Sequence, residues 1–314
     1  MHNTMIDVKN LTKVYGNHTA VHDISFTAQP GEILGILGPN GAGKTTTMRI
    51  LTGFMPPTGG HATIAGFDVM QDSMEIRKRV GYMPERVPIY PDMTVEGYVT
   101  FWANMRGVPG ARMRVREVLD QVSLLDRRKS LVRNLSKGLK QRLGLAQALV
   151  HDPEVVILDE PTIGIDPQQV IEVRDTVRSL AQNHTVLFST HILSEAEQVC
   201  DRVVIINKGR VVAQGRPEAL RQQLYPGDHI FVQVEAANAK PEHIMHVLRG
   251  IPGVKSVEPS TGGYTLLAKR NADIRPHIAP QVAQAGYTLL EMRPVAMTLE
   301  DIFLDIVGRG EQAR

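Results

Sequence analysis

The run Gly38-Pro39-Asn40-Gly41-Ala42-Gly43-Lys44-Thr45-Thr46 constrains this chain more than any other stretch. It follows the apolar run Ile33 to Leu37, which reads as a buried strand, and leads into Thr47-Met48-Arg49-Ile50-Leu51, which reads as a helix. Strand, glycine-rich turn, lysine and helix in that order make a phosphate cradle. Glycines let backbone N–H groups turn inward, and the helix N-terminus adds the positive end of its dipole. The pattern G-x-x-x-x-G-K-[ST] is complete, so Lys44 is expected to reach the β- and γ-phosphates of a nucleotide and Thr45 to offer its hydroxyl to Mg²⁺. A glycine-rich turn with a chance Lys-Thr is the competing reading, and the flanking strand and helix weigh against it.

A second stretch points to the same chemistry. Val155-Val156-Ile157-Leu158 reads as a buried parallel strand, and Asp159-Glu160-Pro161 ends it with two carboxylates. In α/β sheets ligands lie at the carboxyl ends of strands. Asp159 suits Mg²⁺, held through water, and Glu160 is then placed to polarise a water attacking the γ-phosphate. Another buried strand is expected over 185–189, and His191 stands just past its end. A lone histidine is more often structural, but one at this strand tip can contact the γ-phosphate.

The remaining pattern supplies the scaffold. Alternating apolar residues between Met5 and Gln29 suggest antiparallel strands, and residues 61–65 and 80–83 read as further strands. Tyr15, ahead of the phosphate loop, either stacks on an adenine ring or is a surface strand residue. Prolines 84, 88 and 91 exclude a helix from the loop 84–91. From Thr94 to Asp126 the spacing turns helical, and Trp102 reads as core. Leu135-Ser136-Lys137-Gly138-Leu139 opens a strongly apolar helix, where Ser136 caps the N-terminus and, with Gly138, offers a second phosphate contact. The helical block between strand-rich regions looks like an inserted subdomain, and residues 203–214 read as a hairpin turning at Lys208-Gly209.

Composition narrows the partners. The chain has 314 residues, 22% charged and 42% hydrophobic, with formal charge +2, enough for one large domain and a small one. Lys and Arg are scattered, so neither nucleic acid nor a polybasic membrane anchor is expected. The single cysteine, Cys200, lies among apolar neighbours and reads as a small buried group in a reducing compartment. The first residues lack the charged start and apolar core of a signal peptide, and no run approaches the roughly 18 apolar residues that span a bilayer. Work at a membrane therefore requires another chain to cross it.

Taken in order, phosphate loop, proline-rich loop, serine-glycine helix start, Asp-Glu strand and histidine resemble an ABC-type ATP-binding subunit from Met5 to about Leu220. The resemblance is strongest to subunits serving ABC-2 type exporters, including the gliding-motility-associated group. It implies an α/β fold: a P-loop nucleotide-binding domain with a RecA-like core, an antiparallel β subdomain and an inserted helical subdomain. Gly38 to Thr46 match the Walker A loop and Val155 to Glu160 the Walker B strand. Asp166 matches the D-loop aspartate, His191 the switch histidine and Tyr15 the adenine-stacking aromatic. Three positions depart from the family pattern. Glu85 stands where the Q-loop has glutamine and can still contact Mg²⁺ or its water. Leu139 replaces the last residue of the signature while Ser136 and Gly138 remain, and Ile163 replaces a small polar residue at the start of the D-loop. The resemblance further implies ATP and Mg²⁺ as ligands and head-to-tail pairing of two such subunits, as homodimer or heterodimer. It also implies a separately encoded multi-span permease as partner, whose coupling helix enters a groove beside Glu85 to Asp92, and a place on the cytoplasmic face of the cell membrane.

Domain boundaries are expected at 1–222 for the ATP-binding domain, with its helical subdomain at about 86–152, and at 223–314 for an accessory α+β domain. In the latter, β-α-β recurs twice, consistent with a ferredoxin-like sandwich, and Leu299, Ile302, Phe303 and Ile306 suggest a closing helix capped by Thr298. The similar ending Leu299 to Leu304 recurs in exporter-type relatives. No catalytic set is visible in this domain, which leaves regulation, dimer support and docking open. The alternative to an exporter motor is a soluble ABC-type ATPase acting on ribosomes or nucleic acid or as a regulator. Neither a second nucleotide domain nor a coiled-coil insertion, which such members carry, is present. A binding module with little hydrolysis is opposed by the intact Glu160 and His191.

Overall fold

The computed structural model describes residues 4–224, 229–236, 240–269, 272–295, 299–300 and 303. The chain divides into two compact units, Met1–Pro217 and Glu218–Arg314.

The first unit opens with antiparallel β1 (Ile6–Tyr15) and β2 (His18–Ala28), followed by β3 (Ile33–Leu37) and α1 (Lys44–Leu51). Then come β4 (Gly59–Ile64), β5 (Phe67–Asp68), α2 (Ser73–Arg79) and β6 (Val80–Met83). Residues 84–91 form neither helix nor strand, as their prolines require. The helices α3 (Val95–Met105), α4 (Ala111–Gln121) and α5 (Lys137–Leu149) precede β7 (Val155–Asp159). The unit continues through α6 (Pro167–Leu180), β8 (Thr185–Thr190), α7 (Leu193–Val199), β9 (Arg202–Asn207) and β10 (Arg210–Gly215), and α8 (Pro217–Leu224) follows.

Two sheets result, an antiparallel one in the order β2-β1-β4-β5 and a six-stranded one in the order β10-β9-β3-β8-β7-β6. The second is parallel from β9 to β6. Its central strands β3, β7 and β8 are buried at every residue, which is why each is built on an apolar run, with polar residues in β7 and β8 only at the strand ends. Because β3, β8 and β7 are parallel neighbours, their carboxyl ends share one edge of the sheet. Gly38, Thr190 and Glu160 therefore meet there. The two sheets share a core in which Val8, Ile24 and Ile64 join Ile36, Met48, Ile157 and Leu187.

Since β6 and β7 are direct parallel neighbours, α3 to α5 are an insertion within one crossover, as the sequence pattern suggested. The insertion is anchored at Gly81, where a Cβ would overlap the Ala148 carbonyl oxygen; only glycine lets α5 lie so close to β6. Val95, Tyr98, Val99, Val115, Val118 and Leu119 are buried as expected. Trp102 is not: it is half-buried, packed edge-on to Tyr98 and Phe101, with its other side on a cavity shared with Met105 and Met113. Helical spacing marks an apolar face without saying whether a neighbour covers all of it.

The hairpin of β9 and β10 turns at Lys208 (φ 48°) and Gly209 (φ 77°), a pair of left-handed residues that matches the twist of its strands. Cys200 is buried with its sulfur against Gly35, and burial pushes its thiol well above the ordinary range. No helix among the described residues is long and apolar enough to cross a membrane.

The second unit contains β11 (His229–Glu235), α9 (Pro241–Arg249), β12 (Val254–Ser260), β13 (Gly263–Ala268), α10 (Arg275–Gln284) and β14 (Thr288–Val295). Its sheet order is β12-β13-β11-β14 with every pair antiparallel, the ferredoxin-like arrangement expected from the repeated β-α-β pattern. Ile230, Val232 and Leu266 of the sheet pack with Leu248, Ile278 and Val282 of the helices in a core of its own. The closing helix expected from Thr298 onward lies outside the described residues except at 299, 300 and 303.

Candidate active site

The phosphate loop turns from β3 into α1 through Gly43, whose φ of 108° suits glycine and where a Cβ would stand 2.6 Å from the Ala20 carbonyl oxygen. The helix then begins at Lys44, earlier than the expected start at Thr47. Lys44 is buried, and its Nζ donates to the carbonyls of Gly38 at 2.8 Å and Pro39 at 3.3 Å. Asn40, Gly41, Ala42, Gly43, Lys44, Thr45 and Thr46 line a cavity of about 520 Å³ together with Tyr15, Glu85 and Glu160. Gly38 and Pro39 serve it from behind, through Lys44. His18, Ala20 and Ile163 complete the wall; nothing in local sequence marks His18 and Ala20 as lining residues, because they arrive from a neighbouring hairpin, whereas Ile163 stands out as the departure at the start of the D-loop.

Asp159 and Glu160 behave differently although they are adjacent. Asp159 is fully buried at the end of β7, where its Oδ1 accepts from Ser189 Oγ at 2.8 Å and Thr45 Oγ1 at 3.3 Å. Its Oδ2 is also buried and makes no hydrogen bond. Burial pushes the Asp159 carboxyl up; the two hydroxyls oppose this, and the charges of Glu160 and Glu85 reinforce it. Tyr82 faces the same carboxylate, and burial, with the Asp159 charge second, raises its hydroxyl to about 12. A buried acid with one unsatisfied oxygen, a threonine hydroxyl on the other and a second carboxylate nearby fits Mg²⁺, which binds through one or two carboxylates while phosphates and water complete its shell.

Glu160 lies just past the strand with φ 52°, the left-handed region. Its N–H donates to Ser189 Oγ at 2.9 Å. Glu160 Oε1 is 3.1 Å from Lys44 Nζ and Oε2 is 2.7 Å from His191 Nδ1. Lysine and glutamate are buried while His191 is half-exposed, so the carboxylate is held from two sides at the cavity wall. Ser189, absent from the sequence-level site, bridges both acids; its only local signal was a polar residue closing an apolar strand.

Tyr15 lines the cavity and is 44% exposed, with Lys13 Nζ 5.3 Å from the ring centre and its own hydroxyl 3.0 Å from Met55 Sδ. Ser136, Gly138 and Asp166 do not line it. Ser136 caps α5, its Oγ accepting from Leu139 N–H at 3.3 Å, and Asp166 caps α6, its Oδ1 accepting from Gln169 N–H at 3.1 Å. Gly138 lies directly against Gln169, and Arg142 of α5 pairs with Glu172 of α6. The helix start at Ser136 and the turn at Asp166 are thus joined to each other, apart from the chain's own phosphate loop.

A profile of the ABC transporter family matches residues 21–163. The linearmycin resistance ATP-binding protein LnrL of Bacillus subtilis is 32% identical over 310 residues, covering 97% of this chain and 99% of that protein. The Nod factor export ATP-binding protein I of Burkholderia lata is 37% identical over 310 residues, 98% of each. Among solved structures, an ATP-binding subunit of an ABC transporter matches with TM-score 0.64 at 31% identity, over 70% of this chain and 93% of its own. A dimeric ATP-binding cassette in a post-hydrolysis state, bound to ADP and Pi, matches with TM-score 0.62 at 25% identity, over 68% of this chain and 98% of its own. With the cavity, its lysine and its paired acids in place, these likenesses identify the chain as a member of the ABC transporter family, one of its ATP-binding, ATP-hydrolysing subunits.

Proposed function

We propose that this subunit energises an ABC-2 type membrane exporter of the kind that includes the gliding-motility-associated group. One observation carries the catalytic part: the Glu160 carboxylate is fixed between Lys44 and His191 on the wall of the phosphate-loop cavity. In this reading the loop from Gly38 to Thr46 holds the phosphates, Tyr15 covers the adenine and His191 contacts the γ-phosphate. Glu160 accepts a proton from the attacking water, and its short tether to His191 restricts where that water can stand. Thr45, Asp159 and Glu85 hold Mg²⁺, which when bound neutralises charge on the phosphates.

Ser136, Gly138 and Asp166 serve a second copy. Their separation from the chain's own cavity supports a head-to-tail dimer in which each ATP lies between the phosphate loop of one subunit and the Ser136 helix start of the other. ATP then favours the closed pair, and hydrolysis releases it. The pair is a homodimer or a heterodimer. Residues 1–222 act as the motor, and residues 223–314 are an accessory domain.

The exporter reading rests on the relatives, one named for linearmycin resistance and others for Nod factor export. The permease is a separate multi-span chain, and the subunit sits on the cytoplasmic face of the membrane. For its docking we point to the cavity of about 1180 Å³ lined by Phe54, Met74, Trp102, Met105 and Met113, with Arg77, Lys78 and Arg106 beside them and Arg114 paired to Glu117 and Asp152 of the same wall. An amphipathic helix with an apolar face suits it. The cavity lies next to the expected groove beside Glu85 to Asp92, because Tyr90 packs on Phe101 and Phe101 on Trp102.

The test is to express tagged Glu160→Gln in native cells, add ATP, solubilise the membranes gently and identify what co-purifies. A stoichiometric multi-span protein is the expected result. Recovery only as a soluble homodimer, or with ribosomes or nucleic acid, would favour the non-transport alternative.

A further inference from the structure

Glu195, on α7, is buried with 6% exposure and has no part in the chemistry described so far. Its Oε2 accepts from Thr162 Oγ1 at 2.7 Å and from Thr190 Oγ1 at 3.1 Å. Both threonines are themselves buried. Thr162 stands two residues beyond Glu160, in the turn toward Asp166 that the Ile163 N–H closes on the Glu160 carbonyl at 3.2 Å. Thr190 ends β8 immediately before His191, and its Oγ1 also accepts the Ile192 N–H at 3.0 Å. One carboxylate oxygen thus joins the hydroxyls of two threonines, one two residues after Glu160 and the other immediately before His191. Taking a carboxylate out of water against hydroxyl donors is costly, and apolar side chains would pack this site at less expense.

We propose that Glu195 is a positioning residue for ATP hydrolysis. By holding Thr162 and Thr190 together it sets the 2.7 Å contact of Glu160 with His191, and it ties that pair to the Ile163 to Asp166 turn, so that movement of the turn reaches the reacting centre. The proposal rests on the roles given above to Glu160 and His191.

The experiment compares kcat, KM for ATP and the affinity for a fluorescent ATP analogue in Glu195→Ala, Glu195→Gln and the pair Thr162→Val/Thr190→Val, with Glu160→Gln as reference. Misplacing a catalytic group by about 1 Å can cost 10²-fold, so Glu195→Ala is expected to lower kcat about 10- to 100-fold. KM and nucleotide affinity should stay within about 3-fold, because the lost interaction belongs to the chemical step. Glu195→Gln keeps an oxygen acceptor and should recover most of kcat. Added to Glu160→Gln, Glu195→Ala should lower single-turnover rates no further, since its effect passes through Glu160. An unchanged kcat in Glu195→Ala, or the same fractional loss in both backgrounds, overturns the proposal. If Glu195→Ala does not fold, the nearly isosteric valine pair decides, and there an unchanged kcat overturns it equally. Full turnover by Glu160→Gln would overturn the underlying assignment, whereas an inactive Glu160→Gln beside a fully active Glu195→Ala overturns the positioning role alone.

Discussion

Glu160 Oε2 and His191 Nδ1 lie 2.7 Å apart across the carboxyl ends of two neighbouring parallel strands. The contact gives the acid a fixed direction while Lys44 holds its other oxygen. An amide at this position keeps the shape but accepts a proton poorly. Glu160→Gln is therefore expected to bind ATP normally and to lose about 10²- to 10⁴-fold in turnover, the range typical of a general base. Steady-state hydrolysis beside equilibrium nucleotide binding checks this, and full activity would remove Glu160 from the mechanism.

Lys44→Ala should act on binding instead. The lysine is the buried cation at the loop, and charge-assisted hydrogen bonds of about 1.5–3 kcal/mol correspond to about 10- to 100-fold in affinity. The variant should also melt lower, because Glu160 then keeps a buried carboxylate with one fewer partner. Isothermal titration with ATP and a thermal scan measure both effects, and unchanged affinity would count against the whole site.

Below neutral pH, His151 should weaken the first unit. Burial, and then the charges of Arg106 and Arg114, push its imidazole down to about 4 against the hydrogen bond to the Val80 carbonyl, while Asp152 pulls it slightly the other way. Above about 6.5 both folded and unfolded chains hold it neutral. Between 6.5 and 4 only the unfolded chain takes up the proton, so stability falls as pH is lowered through that window. The shift corresponds to about 3 kcal/mol at most. Denaturant titrations across the window should show a shallower slope for His151→Gln, and an identical slope would show that this residue is not the source.

Deleting Tyr225 to Arg314 should leave a folded, ATP-binding protein. Among the described residues, the buried apolar cluster of the first unit runs from Ile6 to Ile206 with Val211 packed against it, and that of the second runs from Ile230 to Val282 with Tyr287 and Leu289 packed against it. Circular dichroism and ATP titration of the truncated chain provide the measurement. An insoluble product would show that the two units depend on one another.

Much of this architecture is legible in local sequence. The apolar runs Ile33 to Leu37 and Val155 to Leu158, the glycine-lysine loop between strand and helix, the proline-rich loop at 84–91 and the turn at Lys208-Gly209 each carry their own physical signature. So does the doubled β-α-β pattern of the second unit. These features follow from near neighbours along the chain: side-chain periodicity, glycine freedom, the missing N–H of proline. Local sequence therefore specifies the elements, their order and the residue types available for phosphate chemistry. Which of those residues meet depends on the packing of distant segments. The Lys44–Glu160–His191 alignment, the Ser189 bridge between the acids and the Glu195 contacts with Thr162 and Thr190 all join groups that the parallel sheet brings to its carboxyl edge, and the buried, unsatisfied Asp159 oxygen lies at that same edge. Trp102 shows the same limit, since a helical face is set by spacing but its cover is set by whatever packs against it. Contacts between positions far apart in the chain leave no periodic trace in it, because their register is fixed only when the sheet assembles.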